Sequence, residues 1–165
     1  MTTIYYEEIP SPIGPLFLVA DDEGLREVRF ELDRRPHTPL AGWVHSPLKL
    51  AEVRRQLEEY FSGDRLTFDL ALTLLGTEFQ QSVWQALTTI PYAVTTSYGQ
   101  LSQQIQRPKA SRAVGAANGR NPIPIIIPCH RVIGSNGTLT GFAGGLAAKQ
   151  WLLEHEMKCQ GFALS

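Results

Sequence analysis

From Phe79 to Leu153 the sequence holds no aspartate and no glutamate, although its 165 residues carry 16 of these acids against 15 lysines and arginines. The acid-free span contains Arg107, Lys109, Arg112, Arg120, Arg131 and Lys149, while the acids lie between Glu7 and Glu78 or resume at Glu154 and Glu156. A net charge near zero argues against a nucleic-acid binder, but this distribution argues the other way. A polyanion would meet one electropositive face and be repelled by the rest. Cysteine is scarce too. Cys129 and Cys159 are the only two, too few for a disulfide framework or a multi-cysteine zinc site. His37, His45, His130 and His155 fall at no metal-ligand spacing, so no metal is expected. No apolar run is long enough to cross a bilayer, and the acidic, polar start is no signal peptide. A membrane is therefore not an expected partner, and a reducing cytoplasm is the expected location. No nucleotide-binding glycine pattern is present, so no cofactor such as S-adenosylmethionine or NAD is expected.

What is present centres on Pro124 to Gly134. The run Ile125-Ile126-Ile127 predicts a buried strand by its length and β-branching. Pro128 then removes a backbone donor and biases Ile127 towards an extended conformation, so Cys129 falls where pairing must stop. A free cysteine is commonly just a small buried hydrophobe. Here it lies beside His130 and Arg131 and ahead of Gly134, Gly137, Gly141, Gly144 and Gly145, a backbone able to approach a ligand closely.

Earlier in the chain, strands are predicted at Ile4–Ile9, Leu16–Ala20 and Leu25–Glu31, with a hairpin turn at Asp22-Glu23-Gly24. Residues 33–47 read as a loop. Leu50, Val53, Leu57 and Phe61 recur at helical spacing with Gly63 as the stop, and Leu66–Leu70 alternates as a strand. Thr77-Glu78-Phe79-Gln80 and Ser97-Tyr98-Gly99-Gln100 are capping boxes opening two helices, the first closed by Pro91. Pro108 suits the first turn of a third helix, Ala110–Asn118, built from small residues around Arg112. Two short helices joined by a tight turn predict a helix-turn-helix. Arg131–Ile133 and Thr138–Thr140 should form a hairpin about Asn136-Gly137. Leu146–Met157 closes the chain as a helix with Leu146, Leu153 and Met157 on one side.

Pro128-Cys129-His130-Arg131-Val132-Ile133-Gly134 resembles the active-site signature of the O6-alkylguanine-DNA alkyltransferases. The resemblance runs in order and spacing from residue 76 to residue 156. It includes Gly76–Gln80, Trp84, Ile90-Pro91-Tyr92, Ser97-Tyr98-Gly99, Arg107–Ala110, Arg112–Gly115, Asn118-Gly119, Asn121-Pro122, Gly144-Gly145-Leu146 and Trp151-Leu152-Leu153. It implies an α/β protein of two parts: a ribonuclease-H-like structural domain over residues 1–72, and a mostly helical, winged-helix-like DNA-binding domain over 76–165. It implies direct, irreversible transfer of an alkyl group from O6-alkylguanine, and from O4-methylthymine, in duplex DNA to Cys129, one protein molecule per lesion. His130 would act as base through a water, Glu156 would orient it, Asn121 would tie the recognition helix to the active-site loop, and Tyr98 would donate to the leaving purine. Ala110, Ser111, Arg112, Ala113, Gly115, Ala116 and Arg131 would face DNA in the minor groove, with Arg112 filling the space of a flipped base. Val132, Phe142, Ala143 and Gly144 would line the pocket with Tyr98. Phe142 stands where many relatives have tyrosine, so it would pack against the base rather than donate to it. The implied state is a monomer, with cooperativity on DNA left open.

A thiolate is the reactive form of cysteine, so the site should lower a pKa that starts near ~8.5. Two other readings remain at this level. A Cys-His hydrolase would need an oxyanion hole and many turnovers. A damage-recognition module would bind without chemistry, although such relatives of this scaffold usually replace the cysteine.

Overall fold

The computed structural model describes residues 1–137 and 141–163. The expected strand Thr138–Thr140 lies outside the described residues. Three strands, β1 (Tyr5–Ile9), β2 (Leu16–Ala20) and β3 (Leu25–Arg29), form an antiparallel meander. A two-residue strand, β4 (Val44–His45), adds in parallel to β1, giving the order β3-β2-β1-β4. Residues 33–47 are thus a loop except for this short edge. All of β2 is buried, as a central strand covered on both faces must be. Asp21 sets the turn before β3 by accepting from the backbone of Glu23 and Gly24.

The helix α1 (Ala51–Phe61) covers the sheet with Val53, Leu57 and Tyr60, and Gly63 follows it with a left-handed φ of 86°. Tyr60, not Phe61, is the fully buried residue of its last turn. The expected strand at Leu66–Leu70 does not form. The Gln56 side chain brackets Asp69 instead, donating to its carbonyl at 3.0 Å and accepting its N–H at 2.9 Å, so a side chain takes the place of a ladder.

In the second half, α2 (Glu78–Leu87) and α3 (Tyr98–Gln104) both begin with the expected capping boxes. Pro91 lies beyond the end of α2 rather than at it. Pro108 sits in a turn closed by the Ala110 N–H on the Arg107 carbonyl, and α4 (Ser111–Gly119) starts after it. Trp84 of α2 donates its indole N–H to the Ala117 carbonyl at 2.9 Å and so fixes α4 against the core. Strands β5 (Thr96–Ser97) and β6 (Val132–Ile133) pair in parallel. The last helix, α5 (Leu146–Ala163), buries Ala148, Lys149, Leu152, Glu156 and Cys159. Leu146 and Met157 are exposed instead. The inward face carries two charged groups, so hydrophobicity alone selects the wrong side.

The join between the halves and the second half together cover the free edge of β3. Leu25 exchanges backbone bonds with Ala71 and Thr73, and the Val28 N–H donates to the Pro122 carbonyl at 2.9 Å. An exposed strand edge is an aggregation hazard. Here it is occupied by residues 71–73 and, at Val28, by the segment that leads into Cys129. No helix among the described residues is long and apolar enough to cross a membrane.

Candidate active site

The apolar run before Cys129 is a compact turn, not a strand. Pro122, Pro124 and Pro128 remove three donors that a ladder would need. The Ile127 N–H instead reaches back to the Ile123 carbonyl at 2.9 Å, and Ile125 takes a φ of 76°. That conformation costs a β-branched residue about 1–3 kcal/mol and persists only where surroundings enforce it. Asn121 is the enforcing group: its Nδ2 donates to the Ile127 carbonyl at 2.8 Å and its Oδ1 accepts from the Ile123 N–H at 3.0 Å. At Pro128 (φ −80°, ψ 64°) the Cys129 N–H closes onto the Ile127 carbonyl at 2.7 Å, an inverse γ-turn. Cys129 then opens a single 3-10 turn, Cys129–Arg131, which swings His130 away from an extended path.

His130 and Glu156 are both completely buried and share a 2.7 Å contact from Nε2 to Oε2. The same carboxylate accepts the Arg131 guanidinium (Nε to Oε1 at 2.9 Å, Nη2 to Oε2 at 3.0 Å), the Ala93 N–H at 3.1 Å and the Tyr60 hydroxyl at 2.7 Å. Burial pulls the Glu156 carboxyl upward, but the hydrogen bond from His130 and the hydrogen bonds and charge of Arg131 outweigh it and hold it well below the usual range. Burial, reinforced by Arg131 and Lys149, lowers the pKa of His130 despite the pull of Glu156. The imidazole is therefore neutral near pH 7. An ionised carboxylate only accepts, so Nε2 carries the ring proton and Nδ1 is left as a bare acceptor. Nδ1 is buried and has no partner among the described residues.

The thiol departs from expectation. Burial pushes Cys129 up to about 11, only partly offset by a hydrogen bond from Asn121 and the charge of Lys149. The resting group is a thiol, because its cationic-looking neighbours His130 and Arg131 are turned towards Glu156. Lys149 is a residue the sequence reading missed. It is fully buried, and its ammonium donates to the Val132 carbonyl at 2.7 Å. The available signal was its spacing: it lies two turns before Glu156 on the same face of α5.

Arg131 is not a DNA contact. It is 6 % exposed, its guanidinium is committed to Glu156 and to the Ile90 carbonyl at 2.6 Å, and it lies over the Tyr92 ring. Two of the six cations counted as an electropositive face, Arg131 and Lys149, are thus interior. Arg107, Lys109, Arg112 and Arg120 are exposed. On α4, Ser111, Arg112, Ala113 and Ala116 form an exposed row, whereas Ala110 and Gly115 are half-buried. Tyr98 packs its ring beside Gly115. Val132 is buried at β6, and Phe142 lies 5.2 Å from Phe30 in a tilted ring pair. Gly144 is held so close to Phe30 that an added Cβ would meet the ring at 2.8 Å. The loop carrying Phe142, Ala143 and Gly144 therefore rests on the first half of the chain. Among the described residues, no cluster of three or more His, Cys, Asp or Glu could hold a metal ion.

Residues 4–74 match the ribonuclease-like domain of 6-O-methylguanine DNA methyltransferase, and residues 78–158 match its DNA-binding domain. A methylated-DNA–protein-cysteine methyltransferase of Methanosarcina acetivorans is 51% identical over 94% of this chain and 100% of its own. The Mycobacterium tuberculosis protein of the same name is 49% identical over 93% of this chain and 92% of its own. The crystal structure of Mycobacterium tuberculosis OGT in complex with DNA superposes with a TM-score of 0.88 at 48% identity, covering 94% of both chains. Matched along nearly its whole length, in both halves and in the fold that joins them, this chain belongs to the methylated-DNA–protein-cysteine methyltransferase family.

Proposed function

We propose that this protein repairs DNA by moving an alkyl group from O6 of guanine, or O4 of thymine, in duplex DNA onto its own Cys129. The observation that carries the reading is the relay itself. An anionic Glu156 fixes His130 with its basic Nδ1 bare, one residue from a thiol that an enforced turn presents. In the reaction the Sγ–carbon bond forms as the carbon–O6 bond breaks. The thiol proton passes through a water to His130 Nδ1, and the departing base gains a proton from the Tyr98 hydroxyl, which is reprotonated from solvent as His130 releases its own. Atoms balance with no cofactor: thiol plus alkylated base gives thioether plus normal base. A thioether does not hydrolyse, so each molecule acts once. Lys149 supports the step by its positive charge, and Asn121 by holding the turn.

A base in the stack is out of reach of a buried thiol, so the reading includes flipping of the damaged nucleotide, which costs a few kcal/mol. The exposed row Ser111, Arg112, Ala113 and Ala116 supports insertion of α4 into the minor groove, where small side chains let the backbone approach. Arg112 would occupy the vacated stack. The protein acts as a monomer in the cytoplasm, where a free thiol persists, with its working halves meeting between residues 72 and 76. The Mycobacterium tuberculosis relative, solved in complex with DNA, supports DNA as the partner. A hydrolase is disfavoured because the Cys129 N–H, a natural oxyanion donor, is already spent on Ile127.

The test is mass spectrometry of the intact protein and its peptides after mixing with a duplex containing O6-methylguanine. One added methylene on the Cys129 peptide, matched one-for-one by lesions lost, is the expected result. Persistence of the lesion beside an unaltered thiol, or repeated turnover, would overturn the reading.

A further inference from the structure

We propose that Tyr60, from the first half of the chain, is a positioning residue for alkyl transfer: its hydroxyl holds and tempers the Glu156 oxygen that faces His130. The proposal rests on the function given above. Tyr60 lies in the last turn of α1, 96 positions before Glu156, and is completely buried, yet its hydroxyl donates to Oε2 at 2.7 Å. That is the oxygen bonded to His130 Nε2. Arg131 spans both carboxylate oxygens and fixes the plane, while Ala93 binds Oε1 alone. Tyr60 is thus the neutral group that shares Oε2 with the imidazole. The residue that looks like part of a sheet-covering helix reaches into the catalytic relay.

A donor on Oε2 withdraws negative charge from the atom that would stabilise a protonated His130. Without the hydroxyl, the carboxylate would favour imidazolium more strongly, and the base would stay occupied to higher pH. Tyr60 itself does not titrate in this range, because burial and the Glu156 anion drive its phenol well above 10. The other groups acting on His130 and its partner are Arg131 beside it, Lys149 on α5 and Tyr92, which faces Glu156 from the loop after α2.

The experiment compares wild type with Tyr60→Phe, which keeps the ring. His130 is titrated by NMR of 15N-histidine-labelled protein, and single-turnover transfer from an O6-methylguanine duplex is followed over the same pH range. The expected result is a higher His130 midpoint in Tyr60→Phe, an acid limb of the rate displaced with it, and about a 3- to 10-fold slower rate at the wild-type midpoint. Affinity for the duplex should not change. Replacing Tyr60 with 3-fluorotyrosine, a stronger donor of nearly the same shape, should move the midpoint the opposite way, and it serves if Tyr60→Phe does not fold. Coincident His130 titrations in all forms, with any rate loss equal at every pH, would overturn the proposal. Failure of wild type to alkylate Cys129 would instead sink the functional reading, while the NMR titration would still decide the coupling.

Discussion

A thiol raised to about 11 is ionised to only roughly one part in 10⁴ at pH 7. On the proposed function, deprotonation accompanies alkyl transfer, with His130 as its acceptor. The His130 pKa lies below its ordinary 6.5, so the imidazole is already free to accept throughout the neutral range. The single-turnover rate should be flat from about pH 7 to about pH 9 and fall as acid protonates His130. Quenched-flow measurement would show this. A tenfold rise per pH unit above neutrality would mean that a pre-formed thiolate reacts without the base. His130→Gln should slow transfer by about 10²- to 10⁴-fold. At this scale Cys129, His130, Asn121 and Glu156 were legible from motif residues. The direction of the thiol shift was not, since a charged letter beside a cysteine does not reveal which way its side chain turns. Arg131 and Lys149 are the examples, both cationic and both turned inward.

At the scale of an element, α4 is a helix whose buried side is pinned by Val114, Ala117 and Asn118 and whose exposed side is small. Ala116→Glu adds bulk and like charge where the helix would meet phosphate, but removes nothing from the core. Stability should stay within about 0.5 kcal/mol. Duplex affinity should fall at least tenfold, about 1.4 kcal/mol. Fluorescence anisotropy with labelled duplex, run beside thermal melts, separates the two. Unchanged affinity would remove α4 from the interface. The capping boxes made α2 and α3 readable because their chemistry is local. The Ile125–Ile127 segment misled because period and branching describe burial, and burial does not require a ladder. Three prolines and the Asn121 side chain decide its path. Leu66–Leu70 failed for the same kind of reason, a side chain from α1 intervening.

At the scale of the molecule, the two halves are joined by the β3 edge bond to Pro122, by the Phe30 contacts to Phe142 and Gly144, and by Tyr60 on Glu156. None of these could be read locally, since each pairs residues far apart in sequence. The last of them ties acid stability to both halves at once. The folded His130 pKa lies below 6.5, so the unfolded chain binds a proton that the folded chain refuses. Its contribution is complete above pH 6.5 and is lost as pH falls below that value. Glu156 is held far below its ordinary 4.5, so its contribution is present above pH 4.5 and is lost as pH falls through the folded value. Both act in the same direction. Urea unfolding should give one transition for the whole chain, with a midpoint that drops from pH 7 to about pH 5.5 and drops further near pH 4. Glu156→Gln should remove much of the second drop and cost about 3–5 kcal/mol at pH 7, because Arg131 would be left buried without its counter-charge. Equal midpoints at pH 7 and pH 5.5, or separate transitions for the two halves, would show that the buried relay does not couple them.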